Sequence, residues 1–467
     1  MAAGSQPLDL TVLGQFPVAP PPESAANLTL PLTFLDLLWL RVNPVHRLIF
    51  HHHPISKTDF IDTLFPLMKS SLSKTLQHYS PFAGKLIVSS DNSILPVIRY
   101  VDGNSVPLVL AESTLTEGDF DHLVSNSAKS CADSHPLVPK LPPPSRNFDG
   151  STLVPLLALQ VTLFPNVGFC IGVTFHHVVG DGKTIFGFWK TWAFFSGDGD
   201  QKVKPDSLPV FDRTELKEGR GRLETIFWEN QKNVKIEDTL VDLLPTVKNK
   251  VRSTFTLTRG DIQRLKSHVM ARRPELAHVT SFTVTCSYVW NCVIRYRHVA
   301  GVYANDDEDE LFCCAADCRA RLDPPLPENY FGNCVTLCYG YAKVKEHVGD
   351  DGLAAAATVV GEIIRGQLYS KDKEGVLKGA EDWITLLSTI NMDRTLTVAA
   401  SPKFDYYGLD FGWGKPIKSE ITSTDITGAI SLSGSKDEEG ALEIGMALPV
   451  TQMDAFTKFF EEGLKAL

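Results

Sequence analysis

"FHHVVGDG", residues 175–182, sets two histidines side by side and an aspartate four positions after the second, held between glycines. The run before it, "VGFCIGVTF" at 167–175, is apolar and rich in β-branched and aromatic residues, and it reads as a buried strand. "LVPLLALQVTLFP" at 153–165 reads as a second strand, joined to the first by the turn "FPNVG". After the motif, "KTIFGFWKTWAFFSG" at 183–197 places Ile185, Phe186, Trp189, Trp192 and Ala193 on one helical face. The stretch is therefore a strand-to-helix junction, a usual place for catalytic side chains. Gly180 and Gly182 let the chain turn sharply and approach a ligand closely.

Side chains alternate along a strand, so His176 and His177 cannot both face one cavity while the strand continues. Three readings stay open on residue types alone. One histidine acts as a general base, which suits imidazole near neutral pH. Or His176, His177 and Asp181 bind a metal. Or the histidines are polar groups of the core. Adjacent histidines seldom ligate one ion and no HExxH pattern is present, so no metal is expected. "HHHP" at 51–54 reads as an exposed corner at a strand end.

The whole chain bounds these readings. Its 467 residues suggest two large domains or one very large one, with 43% hydrophobic and 21% charged residues. A net charge of −10 and a pI near 5.7 argue against nucleic acid as a partner, and any anionic ligand needs a locally basic site. Nine irregularly spaced cysteines without a CxxC pair point to reduced thiols, not a disulfide framework. "MAAGSQPLDL" has no basic n-region followed by an apolar core, so it is not a secretory signal. The longest near-apolar run, 153–164, is too short to cross a bilayer. A cytoplasmic protein without a membrane partner is expected.

Elsewhere, 56–79 has helical periodicity with Ser56 or Thr58 as its cap, and "PVAPPP" at 17–22 reads as extended surface chain. "SGDGDQKVKPDSLP" at 196–209 begins a linker. "RSTFTLT" and "RGDIQRLKSHVMARR" resume strand and helix, and "NDDEDE" at 305–310 reads as a solvated loop. The last helix, 451–467, starts at an approximate capping box of Thr451 and Asp454.

Two further stretches carry a resemblance: "DCRARLDPPLPENYFGNC" at 317–334 and "DFGWGKP" at 410–416. With "HHVVGDG" they resemble the plant BAHD acyltransferases, CoA-dependent enzymes, in order and spacing over nearly the whole chain. "YFGNC" and "TSFTVTCSYVW" at 280–290 are most similar to the anthocyanin and phenolic-glucoside branch, whose donors are malonyl-CoA or hydroxycinnamoyl-CoA. Lys415 stands where that family often has arginine. The resemblance implies an α/β fold of two similar domains related to chloramphenicol acetyltransferase, with mixed sheets flanked by helices and a channel between the domains. It puts the HxxxD domain at 1–195, a crossover linker at 196–225 and the DFGWG domain at 226–467. A monomer is expected.

Carried over, His177 is the general base. Asp181 points away from substrate and pairs with Arg319, or failing that Arg321, with Gly182 closing the motif. Asp410, Phe411, Gly412, Trp413 and Gly414 form the second motif. Asp410 is carried as a catalytic candidate, with a structural role favoured. Lys250, Arg252, Ser253, Thr280, Ser281 and Lys403 are the candidates for CoA. Lys183 is the candidate cation for an acyl carboxylate. The resemblance implies an acyl-CoA co-substrate, malonyl-CoA in first place, no bound cofactor, and a phenolic, flavonoid or anthocyanin glucoside as acceptor. The alternatives are a hydroxycinnamoyl-CoA donor or a non-catalytic ligand-binding member.

Overall fold

The structure is a computed structural model that describes residues 8–197, 207–233, 235, 236, 240, 244–276, 279–370 and 374–467, with side chains at 244 and 245 excepted. Residues 198–206, inside the expected linker, lie outside the described residues.

Two large mixed sheets carry the α/β architecture. The first has the order Leu10–Val18, Val106–Ser113, Leu157–Phe164, Gly168–Phe175, Val45–His52, Lys418–Ile421. Every residue of Gly168–Phe175 is buried, because neighbours pair along both edges and both faces are covered. The second runs Val335–Lys343, Asp309–Asp317, Thr395–Ala399, Ile430–Gly434, Leu442–Pro449, Lys250–Leu257, Lys129–Ser130. A smaller sheet flanks the first half and includes Lys85–Val88 and Thr152–Pro155.

The halves exchange edge strands. Lys418–Ile421 from the second half pairs antiparallel with Val45–His52, and Lys129–Ser130 from the first half pairs with Lys250–Leu257. Each exchange covers an edge that would otherwise present unpaired backbone groups. The exchanged strands also hold each other, through a buried ion pair of 2.8 Å between Lys129 Nζ and Glu420.

The helix Gly182–Ser196 follows the motif and packs against Phe65–His78, the last part of the continuous helical run 57–78. Trp192 Nε1 and Ser196 Oγ both donate to Ser71 Oγ, at 3.0 and 2.8 Å. Past the linker, the helix Arg222–Gln231 runs through the boundary expected at 226. It packs on the first half, with Phe227 edge-on to Phe34 at 6.0 Å.

Three local readings are corrected. "NDDEDE" is not all solvated loop: Asp309 and Glu310 open a strand, and Glu310 is fully buried because Arg297 Nη1 answers its charge at 2.8 Å. The last helix begins at Val450 after Pro449, with no side-chain cap, so Thr451 and Asp454 form no capping box. In "HHHP" His52 and Pro54 are exposed and His53 is half-buried, but strand alternation turns His51 into the core.

Candidate active site

The strand ends at Phe175, and a single 3-10 turn, His177–Val179, leads into the motif helix. The two histidines separate there. His176 is fully buried and its Nδ1 accepts from the Val178 N–H at 3.2 Å. Burial pulls its pKa from the ordinary 6.5 to about 3, so it is a neutral core group. His177 is half-buried, and its ring stacks on Trp39 with centroids 4.0 Å apart and planes 8° from parallel. Its Nδ1 is buried without a hydrogen-bond partner. Burial lowers the His177 pKa, against the opposing influence of Asp181 and the Asn333 side chain. The imidazole is thereby kept as the neutral base at lower pH than a free one.

Asp181 faces the other way. Its Oδ2 is 2.8 Å from Arg319 Nη1 and its Oδ1 accepts from Nη2 at 3.0 Å, both residues being buried. The same carboxylate caps the motif helix, accepting from the N–H groups of Lys183 and Thr184 at 3.1 and 3.0 Å, and it accepts from the Cys334 N–H at 2.9 Å. Burial alone would raise the Asp181 pKa. The Arg319 charge and these hydrogen bonds outweigh it and hold the carboxyl below its ordinary value. The structure thus brings Asp181 and Arg319 together. Arg321 is exposed and donates to the Asp317 carbonyl at 3.0 Å instead. Gly182 has room for no side chain: a Cβ there would stand 2.8 Å from the Phe404 ring.

Asn333 completes the turn. Its Nδ2 donates to the carbonyls of His177 and Val178, at 3.0 and 3.2 Å, and to Asp36 Oδ1 at 3.1 Å. Asp36 is buried, pairs with Arg213 at 3.1 Å and accepts from the Asn333 N–H at 2.9 Å. These residues went unassigned in the sequence, although "YFGNC" contains Asn333. Trp39 carried no signal at all.

The second motif grips the far end of the same helix. Phe411 and Trp413 are buried and stacked at 5.1 Å, and Phe411 lies edge-on to Trp189 and Trp192 at 6.2 and 5.8 Å. His51, stacked on Phe169 at 4.9 Å, backs the pair. Gly412 adopts φ +84°, and a Cβ would meet the Ser196 carbonyl oxygen at 3.1 Å, so glycine is required twice over. Gly414 also has a left-handed φ, +108°. Asp410 is exposed, and its Oδ1 accepts from the Gly412 N–H at 2.9 Å, a contact internal to the loop.

Residues 8–463 match the Transferase family. The phenolic glucoside malonyltransferase 1 of Nicotiana tabacum is 43% identical over 462 residues, covering 98% of this chain and 100% of that protein. The malonyl-coenzyme A:anthocyanin 3-O-glucoside-6''-O-malonyltransferase of Dahlia pinnata is 40% identical over 466 residues, covering 98% of each. The chain belongs to this family, the BAHD acyltransferases. The crystal structure of vinorine synthase shares the fold, with a TM-score of 0.67 at 20% identity over 96% of each chain.

The remaining expectations for this acyltransferase divide. Arg252 is corrected: it is fully buried, its Nη2 pairs with Asp425 and donates to Thr424 Oγ1 at 2.8 Å, and it joins the second sheet to the segment after the exchanged strand. Lys250 Nζ donates to the Asp425 carbonyl at 2.8 Å, and Ser253 Oγ to the Asn126 carbonyl at 3.0 Å, so these side chains are also turned to internal contacts. Thr280 is exposed, with its hydroxyl capping the helix Ser281–Val299. Ser281 is half-buried and Lys403 exposed, and both remain available to a ligand. Lys183 lies 3.4 Å from Asp317 and 3.2 Å from Glu328, so its charge is already answered by this chain. Among the described residues, no helix is long and apolar enough to cross a membrane.

Proposed function

We propose that the chain transfers a malonyl group from malonyl-CoA to a sugar hydroxyl of a phenolic, flavonoid or anthocyanin glucoside, with His177 as general base. The observation that carries this is the split of the two histidines. His176 is sealed and neutral, while His177 stands half-buried on Trp39 at a turn both halves hold rigid. The names of the relatives supply the donor and acceptor classes. His177 Nε2 takes the proton of the acceptor hydroxyl as that oxygen attacks the thioester carbonyl carbon. The tetrahedral oxyanion that forms is stabilised by hydrogen-bond donation. Collapse breaks the C–S bond, and the imidazolium returns its proton to the CoA sulfur, leaving ester and free thiol. No acyl-enzyme is needed. Lys403 and Ser281 are the residues left to contact CoA.

Incubation with malonyl-CoA and a panel of glucosides, followed by mass spectrometry, tests this. The expected product carries one malonyl ester. His177→Ala is expected to lose about 10²–10⁴-fold in rate while staying folded. A wild-type rate in that variant removes the base assignment. A preference for coumaroyl-CoA over malonyl-CoA overturns the donor and leaves the base standing.

A further inference from the structure

Arg47 departs from the way this molecule handles buried cations. Arg213, Arg252 and Arg319 are buried, and each holds a carboxylate: Asp36, Asp425 and Asp181. Arg47 is 9% exposed, and among the described residues it has no carboxylate partner. Its Nη1 donates to Ser419 Oγ at 2.8 Å, and its guanidinium carbon lies over the Tyr406 ring, 3.8 Å from the centroid. Its remaining donors are not among the sealed, unpaired atoms of the interior, so they open on accessible space. The Tyr406 hydroxyl, by contrast, is sealed in the interior, so its ring supports the guanidinium and its oxygen does not reach a ligand. Burial lowers the pKa of Arg47, and only tyrosines oppose that effect. A cation so placed costs stability unless something completes it.

Its position says what that something is. Arg47 sits opposite Val173 in the antiparallel register, and two residues on in each direction Val45 faces Phe175. The Phe175 ring lies 6.2 Å from that of His177. Tyr406, under the guanidinium, lies 5.0 Å from Phe186, which stands four residues after Gly182 on the motif helix. Arg47 is therefore on the sheet face that the motif helix and the segment before DFGWG cover. The surroundings offer one cation, the Ser419 hydroxyl and aromatic rings. That set suits a monoanion read by a planar guanidinium fork, and it is too poor in charge for a phosphate dianion.

We propose that Arg47, with Ser419 and Tyr406 beside it, reads the free carboxylate of a dicarboxylic acyl donor such as malonyl-CoA. This rests on the acyl-transfer reading of His177 and deepens it, because the cation expected at Lys183 is already paired. The same carboxylate chemistry could come from an acidic acceptor, and the test separates the two sources.

Binding of malonyl-CoA, of acetyl-CoA and, in a separate titration, of a phenolic glucuronide to the full chain is measured by calorimetry. The wild type is expected to favour malonyl-CoA. Arg47→Met is expected to weaken malonyl-CoA by about 10–100-fold, the worth of a charge-assisted contact, and to leave acetyl-CoA within about twofold. Arg47→Lys, which keeps the charge and loses the fork, is expected to fall between. The ligand-free Tm of Arg47→Met is expected to hold or rise, since no ion pair is lost, whereas a purely structural arginine would lower it. Equal weakening of both donors, or weakening of neither, overturns the proposal. So does weakening confined to a phenolic glucuronide in place of malonyl-CoA. Failure of the acyl-transfer reading shows separately, as a wild type that binds no acyl-CoA at all.

Discussion

The two ends of the helix Gly182–Ser196 are held by the second half of the chain in opposite ways. At its start, one carboxylate and one guanidinium meet in the interior, and Asp181 Oδ1 caps the helix while also accepting from Arg319. At its end, Phe411 and Trp413 pack on Trp189, Trp192 and His51, and the motif's own acid stays at the surface. Both motifs contain an aspartate, yet only one is buried with a counter-charge. A buried pair is directional and intolerant of losing either member, whereas aromatic packing gives area without fixing a single angle. The directional hold stands beside His177, where orientation would matter for the proposed proton transfer. The area hold stands a helix length away, on the order of 20 Å for 15 residues.

The strongest test of this contrast is to remove one charge. Asp181→Ala or Arg319→Ala is expected to cost about 3–5 kcal/mol of stability, with loss of activity as the turn loosens. In a double-mutant cycle by chemical denaturation the two are expected to be strongly non-additive. Additive effects would break the pairing. Trp413→Ala is expected to cost about 3–5 kcal/mol through the cavity it leaves. Combined with Asp181→Ala it is expected to add within about 0.5 kcal/mol, because the ends share no partner. Non-additivity there would show that the helix answers as one unit.

Acid sharpens the comparison further. His176 at the first end and His51 at the second are each pulled from 6.5 to about 3 by burial. Their folded values lie below the unfolded one, so the unfolded chain takes up protons first. Stability is expected to be flat from this source above pH 6.5 and to fall as pH drops from 6.5 toward 3, read as a denaturation midpoint against pH. If His177 is the base, as proposed, the acid limb of kcat/KM is expected below pH 6.5, since burial lowers that group and only its neutral form accepts a proton. The smallest effect is expected for Asp410→Ala: about 0.5–1.5 kcal/mol for one exposed hydrogen bond, and activity within a few-fold of wild type. A large loss of kcat with stability intact would place Asp410 in the chemistry.

The strand, the turn and the motif helix were legible in 153–197 because periodicity and glycine placement are local signals. The partner of Asp181 was legible only through resemblance, since Arg319 lies 138 residues away. Arg252 misled for the same reason: offered as a candidate for CoA, it meets Asp425, 173 residues on, and is buried by it. Likewise "NDDEDE" looked solvated until Arg297 buried Glu310. Asn333 could have been found by asking why a carboxamide follows the glycine of "YFGN". Trp39 could not, because its stacking on His177 spans separate elements.

By itself the sequence determined the order of strands and helices, the junction that presents a histidine and the family's two motifs. Each of these depends on side chains within a few positions of one another. Only the tertiary structure decided which charges are compensated. It exchanged Lys129–Ser130 for Lys418–Ile421 and paired Lys129 with Glu420 across that exchange. It split His176 from His177, and among the described residues it left Arg47 without a carboxylate. The reason is that hydrophobic periodicity is read along the chain, while the cost of burying an ion is set by whatever distant group the fold brings beside it.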